Sequence, residues 1–249
     1  MKIKSKYIKP EFKKKYNPKV GLLALTTDLT IERDFNSICN KLPIDIFVNR
    51  IHNENPLTKE NLLKMRDQIE EVTKKILPDE KINTVAYGCT SGTIAIGEDK
   101  VKEKIQLAKP ECHVTTPITS AIKAFKLMNI KKIAVFTPYP ESVNKTIYEY
   151  FSKKKIEVQS FGTFNLELDT DFANIDPEYL LETLIKLNMN GADALFISCT
   201  ALPALEIINE VEQKINKPVF SSNQTLIWDT IRSIGYKNAI EGYGQLFKK

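Results

Sequence analysis

N-T-V-A-Y-G-C-T-S at residues 83–91 and D-A-L-F-I-S-C-T-A at residues 193–201 share one plan. In each, a short apolar run of buried-strand character leads to a small residue, then Cys-Thr, then another small residue. No other Cys-Thr pair occurs in the chain, and Cys89 and Cys199 lie 110 positions apart (199 − 89). The echo predicts two similar lobes, each placing a cysteine at the carboxyl end of a parallel strand, with a helix opening directly after it. Open α/β sheets bind their ligands at those strand ends.

Along the rest of the chain, β-rich runs alternate with amphipathic stretches almost throughout. Strands are expected at 20–25, 44–49, 84–87, 132–136, 157–161, 194–198 and 218–220. Between them the apolar period becomes helical. Leu62, Met65, Ile69, Val72 and Ile76 recur every three or four residues, as do Leu205, Ile208, Val211 and Ile215. Asp176-Pro177 and Thr116-Pro117 read as a cap followed by a first-turn proline. Gly191 and Gly235 read as glycines just past helix ends. Such alternation calls for parallel sheets with helices on both faces. The fold class expected is therefore α/β, as two pseudo-symmetric Rossmann-like lobes with the active site in the cleft between them. Residues 18–115 with 222–249 are assigned to the first lobe, 116–221 to the second, and 1–17 to a basic N-terminal arm.

Composition narrows the function. The chain has 249 residues, 42% apolar and 27% charged, as in an ordinary globular protein. No apolar run approaches the roughly 20 residues that span a bilayer, and no secretory signal is visible, so a cytoplasmic location is expected. The four cysteines are widely spaced and only two histidines, His52 and His113, accompany them. That pattern offers neither metal-ligand spacing nor a disulfide framework. The net charge of +5 comes mainly from lysines such as Lys13–Lys15 and Lys153–Lys155. These read as solvated positions rather than a nucleic-acid surface, because no aromatic residues interleave a basic motif.

A cysteine between a parallel strand and a helix sits among unpaired backbone N–H groups at the positive end of the helix dipole. Its pKa is then expected to fall below the usual value of about 8.5, and the same N–H groups can hold a carboxylate. Thr90, Ser91, Thr200 and the amide of Ala201 add donors. Such a cleft suits a small carboxylate held between two thiols, one acting as base or nucleophile and the other as acid. A free cysteine after a strand is commonly just core packing. We assign that role to Cys39 and Cys112, which lack a glycine or hydroxyl context.

At these residues the chain resembles the branch of the aspartate/glutamate racemase superfamily that holds maleate cis-trans isomerase, arylmalonate decarboxylase and the racemase-like ectoine-utilisation protein. Six segments carry the resemblance in order: V-G-L-L-A-L-T-T-D-L-T-I-E-R-D-F (20–35), Y-G-C-T-S-G (87–92), T-T-P-I-T-S-A (115–121), T-P-Y-P-E-S-V-N (137–144), L-F-I-S-C-T-A-L (195–202) and S-S-N-Q-T-L-I-W-D (221–229). The first and fifth look closest to the ectoine-utilisation protein.

The resemblance implies catalysis with neither metal nor organic cofactor, with Cys89 and Cys199 as the catalytic pair. It implies that Tyr139 hydrogen-bonds a substrate carboxylate and that Thr90 and Ser91 belong to a carboxylate-binding loop. It further implies a homo-oligomer, a dimer or a dimer of dimers, acting on a small-molecule carboxylate with no nucleic-acid or membrane partner. The decarboxylase keeps only the second cysteine, so the presence of both argues against decarboxylation. The reading favoured at this level is an isomerase or racemase for a small carboxylate, an amino-acid derivative of ectoine-type catabolism. Maleate-type cis–trans isomerisation by covalent cysteine addition is the alternative, and a non-catalytic binding protein the third reading. Asp28 is the telling departure, since maleate isomerase is similar here but carries asparagine; a second asparagine aligns loosely with Thr170. Asp28 either recognises an ammonium or amide group of the substrate or simply caps the helix through Ile31–Ile38. Asn223 and Gln224 read as a cap of the last helix.

Overall fold

A computed structural model of the chain describes residues 6–249. Eight strands form two four-stranded sheets, each wholly parallel. The first contains β1 (Lys19–Leu25), β2 (Asp45–Ile51), β3 (Thr84–Tyr87) and β4 (His113–Thr115), in the order β2-β1-β3-β4. Its helices are α1 (Ile31–Cys39), α2 (Lys59–Lys64), α3 (Ile69–Lys74), α4 (Thr90–Ile96) and α5 (Glu98–Ala108). After α6 (Pro117–Leu127), the second sheet repeats the plan with β5 (Lys132–Thr137), β6 (Glu157–Thr163), β7 (Ala194–Ile197) and β8 (Val219–Ser221), ordered β6-β5-β7-β8. Its helices are α7 (Glu141–Lys153), α8 (Asp169–Ala173), α9 (Pro177–Ile185) and α10 (Ile208–Ile215), and α11 (Ser222–Ser233) follows. Among the described residues no helix is long and apolar enough to cross a membrane.

The two sheets repeat at the level of single hydrogen bonds. The amide of Gly88 donates to the Leu23 carbonyl at 2.8 Å, and the amide of Ser198 donates to the Phe136 carbonyl at 2.8 Å. Each bond extends a central ladder by one residue and delivers the next residue, Cys89 or Cys199, to the sheet's carboxyl edge. β3 and β7 are buried at every position because both faces of a parallel sheet are covered; β7 is apolar throughout, and β3 is apolar but for Thr84, whose hydroxyl meets that of Ser233 at 2.7 Å. The second core gathers Phe125, Phe151, Phe196 and Phe220, with edge-on Phe125–Phe196 and Phe151–Phe196 pairs at 5.6 Å.

The proline-started helices form as expected. Thr116 and Asp176 accept from the amides of Thr119 and Tyr179, with Pro117 and Pro177 in the first turn. Gly235 lies just past the end of α11 with φ +88°. Other expectations need correction. Leu62 to Ile76 is not one helix: α2 and α3 are separated by a 3-10 turn at Met65–Asp67, although Leu62, Met65, Ile69 and Ile76 all still face the core. Gly191 also has positive φ, +75°, but occupies the turn before β7. β4 has no seven-strand counterpart in the sequence reading, because its three residues, His-Val-Thr, offer no apolar run. Of the basic N-terminal arm, residues 1–5 lie outside the described residues. Residues 6–17 are exposed and form neither helix nor strand.

Candidate active site

Cys89 caps α4. Its Sγ accepts the amide of Gly92 at 3.2 Å, and the Ser91 hydroxyl stands 3.8 Å away. Cys199 is built differently. Its Sγ accepts the amide of Ala201 at 3.3 Å, but no helix opens there; the chain turns through Pro203 and enters a 3-10 turn only at Leu205–Ile207. The expected symmetry of two helix starts therefore holds for the first lobe only. Pro203 is the local reason, since it lacks a backbone N–H and disfavours helix in the residue before it.

The structure brings Cys89, Cys199, Tyr139 and Asp28 together. Tyr139 feels both thiols and its hydroxyl favours the Cys199 thiolate, while Asp28 and Asp169 each act electrostatically on both. The cluster is closed to solvent: Cys89 is 3% exposed, Cys199 4% and Tyr139 2%. Closure reverses the expected titration. Burial pushes the Cys89 thiol up to about 12, and the Asp169 carboxylate adds to that rise against the Gly92 amide. Cys199 is pushed up well above the ordinary thiol by burial and then by Asp169, with Tyr139 and the Ala201 amide opposing. Desolvation outweighs two N–H bonds because it penalises the whole thiolate charge. Cys39 and Cys112 are as buried, so accessibility alone does not separate the two pairs. An open groove of about 500 Å³ between α2, α4 and α7, lined by Leu62, Ile94, Val143 and Tyr150 among others, lies outside the thiol cluster.

The hydroxyl-bearing residues do more scaffolding than the sequence suggested. The Thr90 hydroxyl donates to Ser222 Oγ at 2.9 Å, and the Thr200 hydroxyl reaches the Gly88 carbonyl at 3.3 Å. Thr30 donates to the Ala201 carbonyl at 2.9 Å. The last two bonds tie the two Cys-Thr turns to opposite halves of the cleft. Asn223 is not a cap. Ser221 is the N-cap of α11, in a capping box with Gln224, which frees Asn223 to donate to the Thr200 carbonyl at 2.7 Å and to Asp34 at 2.8 Å. Asp34 is buried beneath the loop, and desolvation raises it to about 7.

Asp28 caps α1, the second of the two roles envisaged for it. One carboxyl oxygen accepts the amides of Thr30 and Ile31 at 2.8 and 2.9 Å, which caps α1 where Thr30 itself makes no side-chain cap. The other oxygen is buried without a partner. Thr170 is not brought to the thiols; its neighbour Asp169 is. Asp169 accepts the Thr27 hydroxyl at 2.7 Å and the Asn53 amide at 2.8 Å, so a second-sheet residue is held by two first-sheet loops. Sequence reasoning missed Asp169, Thr27 and Asn53. The available signal was their position just past the carboxyl ends of β6, β1 and β2.

Gly92 was also missed, and it fixes the Cys89 thiol by size. A Cβ there would stand 2.8 Å from Sγ, 2.8 Å from Met65 Cε and 3.0 Å from the Tyr87 hydroxyl. Gly92→Ala should therefore displace the thiol and cut kcat/KM on the order of 10²-fold, the scale of a 1 Å misplacement. Overpacking should cost about 1–3 kcal/mol, leaving a folded protein. Steady-state kinetics beside a thermal melt checks this; unchanged kinetics would mean the thiol position is unimportant.

The sequence profile of the arylmalonate decarboxylase family matches residues 57–247. The maleate isomerase of Alcaligenes faecalis is 26% identical over 192 residues, covering 74% of this chain and 76% of the relative. The crystal structure of the maleate isomerase Iso from Pseudomonas putida S16 with maleate superposes with a TM-score of 0.85 at 19% identity, covering 93% of this chain and 97% of that one. The Nocardia farcinica maleate cis-trans isomerase with a covalently bound succinylcysteine intermediate gives a TM-score of 0.85 at 18% identity, with 93% and 98% covered.

Proposed function

The chain belongs to the arylmalonate decarboxylase family, and from that premise we propose that it is a cysteine-dependent cis–trans isomerase of a small dicarboxylate of the maleate type. The observation that carries this reading is the pair of buried thiols, one behind the central strand of each sheet, sharing Tyr139, Asp28 and Asp169 as neighbours. The two relatives of known structure described above act on or hold maleate-type ligands. Ectoine-linked racemisation draws no support from any of these relatives, so isomerisation by covalent addition replaces it as the leading reading.

In this mechanism the Cys89 thiolate adds to one alkene carbon. The C=C electron pair moves to the other carbon and spreads onto its carboxylate as an enediolate. Cys199, with the Tyr139 hydroxyl beside it, gives that carbon a proton. The former double bond is now single and rotates. Cys199 removes the proton, the double bond reforms, and Cys89 leaves as thiolate with the trans diacid released. Cys89 is the better nucleophile because Gly92 and Ser91 attend it within a helix start, whereas Cys199 has the tyrosine hydroxyl as proton partner.

Maleate incubated with the enzyme should appear as fumarate. With Cys199→Ser, digestion and mass spectrometry should find one diacid added to the peptide that holds Cys89. Solvent deuterium entering a chiral carboxylate at Cα, with no adduct and no fumarate, would replace this reading by racemisation.

A further inference from the structure

The cleft assembles carboxyl groups where a dianionic substrate would need cations. Asp28 and Asp169 both bear on the thiols, and Asp34 lies one hydrogen bond further away through Asn223. The guanidinium closest to Asp28, on Arg50 of β2, is turned elsewhere: it donates to the carbonyls of Leu25 and Asp28 at 2.8 and 2.9 Å and pairs with Glu32 of α1 at 2.8 Å. A maleate-type dianion entering beside two ionised carboxylates and a thiolate would have no opposite charge to meet.

Asp28 offers a way out in its own geometry. Its two oxygens are chemically unlike. One is saturated by the Thr30 and Ile31 amides, and the other, with the residue 1% exposed, has no partner. An unpaired buried carboxylate oxygen is costly, whereas the same oxygen carrying a proton is a donor awaiting an acceptor. We infer that Asp28 serves as a neutral carboxylic acid in the substrate complex, its bare oxygen donating a hydrogen bond to one carboxylate of the diacid and so setting specificity for dicarboxylates. The inference rests on the isomerase reading above. Burial raises the Asp28 pKa, the direction this role needs. The groups that face Asp28 are Arg50 on β2, Asp34 on α1, Asp169 on α8, and the thiols Cys89 and Cys199. Of these charged groups only Arg50 favours the ionised form, and it is already spent on carbonyls and Glu32; the Thr30 and Ile31 amides and the Thr200 hydroxyl also favour it, and burial outweighs them all. The role differs from an ionised Asp28 selecting an ammonium or amide substituent.

The test uses the full chain with Cys89→Ala and Cys199→Ala, which removes thiol titration and turnover so that maleate is a simple ligand. Its dissociation constant is measured between about pH 7 and 9, where maleate itself no longer titrates, with Asp28 intact and with Asp28→Asn. With Asp28 intact, affinity should fall by up to about tenfold per pH unit once the carboxyl must take up a proton to bind. With Asp28→Asn the affinity should be nearly independent of pH, because the amide donates at every pH. Asn caps a helix as well as Asp, so the variant should fold; circular dichroism confirms it. The same pH slope in both proteins overturns the inference, and so does absent maleate binding. Tighter maleate binding by Asp28→Asn at every pH, with maleamate preferred when Asp28 is intact, also overturns it and assigns an ionised Asp28. Failure of the thiol-intact enzyme to make fumarate would instead sink the isomerase reading, and the binding slopes would still decide the state of Asp28.

Discussion

Cys89→Ala and Cys199→Ala should each lower turnover of maleate by at least about 10⁴-fold, and the double variant should be scarcely worse than either single one. Residues that act as one unit lose nearly all their contribution when any member is removed. Here the unit is concrete. Without Cys89 no carbon–sulfur bond forms, so the double bond never becomes rotatable. Without Cys199 the carbanion waits for a proton in a cleft closed to water. The fold should survive, because each thiol behaves as a small buried group whose loss leaves only a sulfur-sized gap. The Gly92 and Ala201 amides would each lose an acceptor, a cost of about 1–3 kcal/mol that the melt would register. Initial rates of fumarate formation, paired with thermal melts, check both halves. Near-normal turnover by either folded single variant would remove the two-thiol mechanism, and additive losses would mean that the cysteines work on separate steps.

How much of this was legible beforehand follows from what each feature leaves in sequence. The paired sheets were readable because both faces of β3 and β7 are buried, which writes the apolar runs Val85–Tyr87 and Ala194–Ile197 just ahead of each small residue and Cys-Thr. The three-residue β4 leaves no such trace. The cysteine pair was readable because its contexts repeat. The titration of those cysteines was not, since it depends on closure: Tyr139, Asp28 and Asp169 arrive from three separate segments, and no local spacing encodes their meeting. Asp169 illustrates the limit best. In sequence it is one acidic residue in a polar stretch, L-E-L-D-T, and Glu167 two positions earlier looks equally eligible. Only the bonds from Thr27 and Asn53 distinguish it. Asn223 was misread for a related reason, because an asparagine opening a helix resembles a cap until the Ser221–Gln224 box is seen to do that work.

Tyr139→Phe should cost roughly 10²–10³-fold in kcat with a much smaller change in KM. The hydroxyl it removes is the side-chain group that favours the Cys199 thiolate, and losing one donor that stabilises developing charge has about that effect. The ring should stay where it is. Its backbone is fixed on three sides: its amide donates to Thr137 Oγ1 at 3.2 Å, and its carbonyl accepts from Asn144 at 2.8 Å and Thr163 at 2.6 Å. The ring also meets Phe172 edge-on at 5.8 Å, a contact phenylalanine keeps. A kinetic loss in this variant is therefore chemical rather than a consequence of disorder. The pH dependence gives a second readout. The hydroxyl lowers the Cys199 pKa from a value that burial sets high, so without it the thiol holds its proton more tightly. The step that needs the Cys199 thiolate, removal of the proton after rotation, should become limiting and move to higher pH. An intermediate bonded to Cys89 should then accumulate and be visible by quenching and intact-protein mass spectrometry. If kcat is unchanged and no adduct builds up, Tyr139 fills space beside Cys199 and the proton partner must be sought among Asp28 and Asp169.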